Sequence, residues 1–178
     1  MVDIVMMGDS HTQAGNWNKL LTNKRVYNRG LGGFTSEQIA IQAKKNSEFF
    51  PKIVFVMAGG NDLDKANFSL NQTVKNIISI GEISKRDGLT VVFQSLLKKN
   101  NAPDFNLVID SINNRIRIYT DTTDCFFLHL HPMLYQEGEK PIKDLDADAS
   151  GHLNEKGYEY WSQSINTFLE RHPELFEE

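Results

Sequence analysis

Short runs centred on apolar residues alternate along this chain with longer stretches whose apolar positions recur every three or four residues. The short runs are Asp3–Met7, Arg25–Asn28, Ile53–Met57, Thr90–Gln94 and Cys125–Leu130. Their length and their Val, Ile and Phe content predict strands. Helical spacing is clearest over Ser36–Ser47, Leu70–Arg86, Asp104–Tyr119 and Glu155–Leu169. Strand and helix in alternation predict a three-layer α/β/α sandwich around a five-stranded parallel sheet. Such sheets bind ligands at the carboxyl ends of their strands, where the strand order reverses, so functional residues are expected just after each strand.

The unusual residues stand in those places. Gly8-Asp9-Ser10-His11-Thr12 follows the first strand, Asn28 to Thr35 the second, and Ala58-Gly59-Gly60-Asn61-Asp62 the third. Ser10 lies between a strand and a helix, where its hydroxyl can project beside the positive end of the helix dipole; the same position suits a helix cap. A serine hydroxyl attacks well only when an imidazole takes its proton. Of the five histidines, His172 lies in a charged tail, and His129 and His131 alternate on a strand without a third metal ligand. His11 adjoins Ser10 and, with Asp9, is expected to line the pocket. His152 stands on a loop just before the last helix and is the best candidate base. Gly33, through its N–H, and Asn61, through its side-chain amide, could join the Ser10 N–H in stabilising an oxyanion, although Gly32-Gly33 also suits a plain turn and Asn61 a cap.

Taken together, Gly8-Asp9-Ser10, then Asn28-Arg29-Gly30-Leu31-Gly32-Gly33-Phe34-Thr35, then Gly60-Asn61-Asp62, then His152-Leu153-Asn154 with Gly157-Tyr158, resemble in order the four blocks of the GDSL esterases and lipases, or SGNH hydrolases. The resemblance spans nearly the whole chain and implies one SGNH hydrolase domain over residues 1–178, flavodoxin-like in its strand pattern. It implies Ser10 as nucleophile, His152 as general base, and Ser10, Gly33 and Asn61 as the oxyanion hole. Two positions depart from the family. His11 replaces the usual aliphatic residue after the serine. The acid normally found three residues before the histidine is here Ala149, so Asp148, four before, is the expected orienting acid, with Asp146 further back. The loop Lys140–Ser150 carries them. If neither carboxylate reaches His152, a backbone carbonyl would orient it in a Ser-His dyad.

The implied reaction is acyl transfer through an acyl-enzyme, needing neither metal nor organic cofactor. Small acyl esters such as O-acetyl sugars are the first substrate class, lysophospholipids or thioesters the next; the absence of a long lid insertion suits an open, shallow pocket. An O-acetyltransferase would use the same residues, and a catalytically silent domain could keep the pocket for an acylated ligand. A flavodoxin-like flavin binder would cradle phosphate at Ser10-His11-Thr12, but Gln13 replaces the expected glycine and Asn61 and His152 are left without a role. Net charge is −4, with 40% hydrophobic and 24% charged residues, which argues against nucleic acid as a partner. No stretch is apolar enough to span a membrane. The first strand begins at about Val2, so the chain reads as cytoplasmic, or as secreted or periplasmic if a signal peptide was removed. Cys125, the single cysteine, sits among apolar residues and reads as core.

Overall fold

The computed structural model describes residues 2–130, 134–136, 140–141, 143–146, 148 and 151–176. Five strands, β1 (Ile4–Gly8), β2 (Val26–Gly30), β3 (Ile53–Met57), β4 (Thr90–Gln94) and β5 (Phe126–Leu128), pair in the order β2-β1-β3-β4-β5. Every pairing is parallel, with Ile4 opposite Val26 and Ile53, Ile53 opposite Thr90, and Val92 opposite Phe126. All of β1 and β3 is buried, which explains their unbroken apolar sequences.

Among the described residues six helices connect and cover the strands: α1 (Ser10–Ala14), α2 (Trp17–Leu20), α3 (Ser36–Ala43), α4 (Leu70–Arg86), α5 (Pro103–Thr120) and α6 (Glu155–Arg171). Helix α3 packs on α4 and α4 on α5, while α2 packs on α6. Alternation along the strands feeds both layers. Phe93 meets Gly81 of α4 and Tyr119 of α5, whereas Phe55, opposite Val92 and so facing the other way, meets Phe168 of α6. The result is the three-layer α/β/α sandwich expected from the sequence. On the α6 side Trp17 and Trp161 meet edge to face at 4.9 Å. Each indole N–H has an acceptor, Trp17 donating to the Thr12 carbonyl (2.8 Å) and Trp161 to Gln94 Oε1 (2.7 Å), so these large rings are buried without stranding a polar atom.

The elements differ from expectation where side chains replace backbone pairing. Cys125–Leu130 is a strand only over Phe126–Leu128, because the Leu130 amide donates to the Ser95 hydroxyl (3.0 Å) rather than to a β4 carbonyl. The helix expected over Ser36–Ser47 ends at Ala43. Asn46 turns fully inward there, donating to Met7 Sδ and Ser84 Oγ and accepting from Arg29, which helical continuation would prevent. Helices α1 and α2 are too short to register as a period. The outer edge of β2 is covered by α2: the Asn18 side chain accepts from the Val26 N–H and donates to the Val26 carbonyl, both at 2.9 Å, mimicking a neighbouring strand.

Within the expected loop Lys140–Ser150, Lys140–Pro141 (β7) pairs antiparallel with Tyr135–Gln136 (β6), and Lys143–Leu145 forms a 3₁₀ turn. His131, considered with His129 as a metal pair, and Ala149 lie outside the described residues.

Candidate active site

The order β2-β1-β3 makes the crossovers leave in opposite directions on either side of β1, and the crevice this opens is filled by the loops after β1, β2 and β3. Ser10 is the first residue of α1, and the cap of that helix is Asp9, whose carboxylate accepts from the His11 N–H at 3.0 Å. The Ser10 hydroxyl is therefore not used for capping, and it lies 3.0 Å from His152 Nε2 across 142 residues of sequence. Gly30 lets α1 lie against the end of β2: a Cβ there would stand 2.0 Å from the Gln13 amide nitrogen and 2.4 Å from its Cα.

The other ring nitrogen, His152 Nδ1, is 2.9 Å from Asp148 Oδ2. With the Nδ1 proton donated to the carboxylate, Nε2 is the acceptor and Ser10 Oγ donates to it. The turn carrying this pair is closed by the Gly151 N–H donating to the Asp148 carbonyl (3.2 Å), and Gly151 has φ +85°, a left-handed conformation that favours glycine. Asp148, four residues before His152, thus reaches the imidazole. Asp146 is occupied elsewhere, accepting from Asn100 Nδ2 (2.5 Å) and bridging backbone to backbone with Leu153. Asn154 then caps α6 by accepting from the Gly157 N–H (3.1 Å). The pair is open to solvent, the His152 side chain being 37% and that of Asp148 52% exposed.

Asn61 follows β3 in a 3₁₀ turn, Gly60–Asp62, and donates through Nδ2 to the Phe34 carbonyl at 3.0 Å. Its second amide proton is directed elsewhere. Gly33 sits in the turn that Phe34 N–H closes on Leu31, with φ +75°. Gln13 of α1 holds this loop by accepting from the Gly32 N–H (3.1 Å), and a Cβ on Gly32 would be 3.9 Å from that of Ser10. Asp9, Ser10, His11, Asn61 and His152 share one cavity, and Gly33 is not among its lining residues.

The sequence matches the GDSL-like Lipase/Acylhydrolase family over residues 6–160. The chain belongs to that family. It is a GDSL-type carboxylic ester hydrolase. No curated protein matches the chain in sequence. Among solved structures it is similar to a GDSL-like lipase from Bacteroides thetaiotaomicron VPI-5482 (23% identity over 95% of this chain and 88% of that one, TM-score 0.83). It is also similar to an acetyl xylan esterase (18%, 94% and 100%, TM-score 0.78) and to a psychrotrophic esterase from Pseudoalteromonas sp. in a structure inhibited by monoethylphosphonate (17%, 96% and 100%, TM-score 0.70). At these identities the likeness is one of fold.

In this GDSL-type hydrolase the cavity is small, about 130 Å³, against roughly 300–1,000 Å³ for pockets that enclose drug-sized ligands. Met57, the last residue of β3, and Leu96 and Leu97, just beyond β4, give it an apolar part; Asp64, Lys99 and Phe105 complete its rim. A larger groove of about 530 Å³ between α2 and α6, with Lys19, Leu20, Glu155 and Tyr158 in its lining, brings none of Ser10, Asn61 and His152 together. Thr12, which a phosphate cradle would need, is a fully buried residue of α1.

Two residues expected only to line the pocket carry opposite electrostatic burdens. Burial raises the Asp9 carboxyl from 3.8 to about 6, against the His11 N–H bond and the His152 charge, which lower it. Burial lowers His11 to about 4, helped by the positive charges of His152 and Lys99. The His11 ring lies 5.1 Å from that of His152, and its backbone carbonyl accepts from the Tyr158 hydroxyl at 2.6 Å. Sequence reasoning gives no role to Asp62. Its buried carboxylate accepts from Ser36 N–H (2.8 Å), Ser36 Oγ (2.5 Å) and Thr73 Oγ1 (3.2 Å), fixing the Asn61 turn to the starts of α3 and α4. A buried acid with three donors is legible only once those donors are brought near it. Among the described residues no helix is long and apolar enough to cross a membrane.

Proposed function

We propose that this hydrolase cleaves small acyl esters, O-acetyl esters of sugars foremost, with Ser10 as nucleophile, His152 as general base and Asp148 as the acid that orients it. The carrying observation is the continuous relay from Ser10 Oγ through His152 to Asp148, at 3.0 and 2.9 Å. Ser10 Oγ attacks the ester carbonyl as its proton passes to His152 Nε2. The tetrahedral oxyanion is met by the Ser10 and Gly33 N–H groups and the remaining Asn61 amide proton, each donor being worth about 10²–10³ in rate. Collapse expels the alcohol, which takes the proton from His152. Water, deprotonated by His152, then releases the acid from the acyl-enzyme. Neither metal nor organic cofactor enters these steps. The small cavity with its apolar part suits an acetyl group, and the fold shared with an acetyl xylan esterase supports that choice.

The test is intact-mass spectrometry after exposure to a fluorophosphonate, a probe class related to the phosphonate that inhibits the Pseudoalteromonas esterase. We expect one adduct, mapped to Ser10, absent from Ser10→Ala and from His152→Ala. Folded protein that takes up no label would sink this reading and favour a silent acyl-ligand domain.

A further inference from the structure

Lys99 lies on the rim of the same cavity as Ser10, Asn61 and His152. Its backbone is fixed on both sides by Asn106, whose Oδ1 accepts from the Lys99 N–H and whose Nδ2 donates to the Lys99 carbonyl, both at 2.8 Å. Its stem packs beneath the turn that carries His152, so that a Cβ on Gly151 would be 3.3 Å from Lys99 Cγ. Its ammonium stands 4.2 Å from the centre of the Phe105 ring, another lining residue. Among the described residues no carboxylate lies within ion-pair distance of it. The adjacent Lys98 differs: its buried ammonium pairs with Asp110 at 2.8 Å. Lys99 is thus a cation with a fixed root and an aromatic seat, facing a reaction cavity, with its counter-ion position open. Its charge reaches the cavity, since it helps to keep His11 neutral.

We infer that Lys99 selects acetyl esters whose alcohol portion carries a carboxylate, the acetylated hydroxy acids and acidic sugars. This inference rests on the ester-hydrolysis reading above and names its substrate class. The acetyl methyl takes the apolar part at Met57, Leu96 and Leu97, leaving the charged rim to the alcohol. The other charges at the cavity are Asp9 on its floor, Asp64 on the Asn61 turn and Asp148 behind His152, so a carboxylate is accepted only on the side of Lys99 and Phe105.

The test compares kcat/KM for 3- and 4-carboxyphenyl acetate with that for the matching neutral carbamoylphenyl acetates, each corrected by its alkaline hydrolysis rate. The wild-type protein should favour one carboxylate isomer by about two- to five-fold, as expected of a partly exposed charge pair. That preference should fall toward unity in Lys99→Met, which keeps the stem, persist in Lys99→Arg, and shrink in 0.5 M salt, on the order of what screening at a Debye length near 4 Å allows. A wild-type ratio at or below one for both isomers, or an equal loss on charged and neutral esters in Lys99→Met, would overturn the assignment while leaving hydrolysis intact. If the Lys99 variants fail to fold, the wild-type ratio and its salt dependence still decide. Failure to turn over any of these acetates would instead remove the hydrolysis reading, and this one with it.

Discussion

Ser10 and Asp148 stand at opposite ends of one hydrogen-bond relay, yet the protein holds them in contrasting ways. Ser10 follows a strand that is buried over its whole length, on a helix capped by Asp9 and pressed against β2 at Gly30. Asp148 is half exposed, on a turn closed by one backbone hydrogen bond and a left-handed glycine. The proposed nucleophile is set by packing, where a shift of any neighbour costs contacts in a dense core. The proposed acid is set by local backbone geometry in solvent, where its charge is screened. Damage to the first region should therefore appear as lost stability, and damage to the second as lost rate in a folded protein.

The largest effect is expected from Gly30→Ala. The added Cβ meets backbone atoms of α1, which cannot rotate away, so the helix must move; the cost should be on the order of 3 kcal/mol or more in denaturant unfolding, with activity falling alongside. A wild-type midpoint would show that the nucleophile arm is more compliant than its packing indicates. Asp148→Asn probes the other arm. It should lower kcat/KM by about 10²–10³, less than the ~10⁴ known for a buried triad acid, and leave the unfolding midpoint unchanged. A near-neutral rate would remove Asp148 from the relay.

The smallest expected effect concerns Asp9 and His11. Asp9 is raised from 3.8 to about 6, so its folded form binds a proton more tightly and its contribution to stability is lost as pH rises through that interval. His11 is lowered from 6.5 to about 4, so its contribution is lost as pH falls through that one. The two slopes oppose each other and nearly cancel in the wild-type protein. Asp9→Asn, which retains a capping oxygen, should expose a stability that rises from pH 4 to 6.5; His11→Leu should expose one that falls from pH 4 to 6, each by roughly 2 kcal/mol. Parallel profiles for the two variants would show that these groups do not carry the opposing slopes.

The same contrast sets what can be read from the sequence. β1 and β3 are buried on both faces, so their apolar runs are plain, and Ser10, Asn61 and His152 stand in the loops where a parallel sheet gathers its chemistry. The acid is legible only as a choice between Asp148 and Asp146, because what decides it is the left-handed turn at Gly151 and the capture of Asp146 by Asn100, neither of which has a pattern in sequence. Position alone suits Ser10 as a cap, whereas the cap lies one residue earlier, at Asp9, a distinction below the precision with which a helix start can be located. The network around Asp62, the inward turn of Asn46 and the Ser95 hydroxyl that ends β5 all depend on partners distant in sequence, and they account for the remaining differences.

The 142 residues between Ser10 and His152 have a kinetic meaning as well. Loop closure over that span costs entropy that local contacts cannot offset, so the Ser10–His152 hydrogen bond is expected to form late, once β5 and α6 are in place. On the proposed mechanism, a chain still emerging from the ribosome, or one stalled as a collapsed intermediate, holds Ser10 without its base and should be inert toward esters. Turnover would then serve as a signal of completed folding.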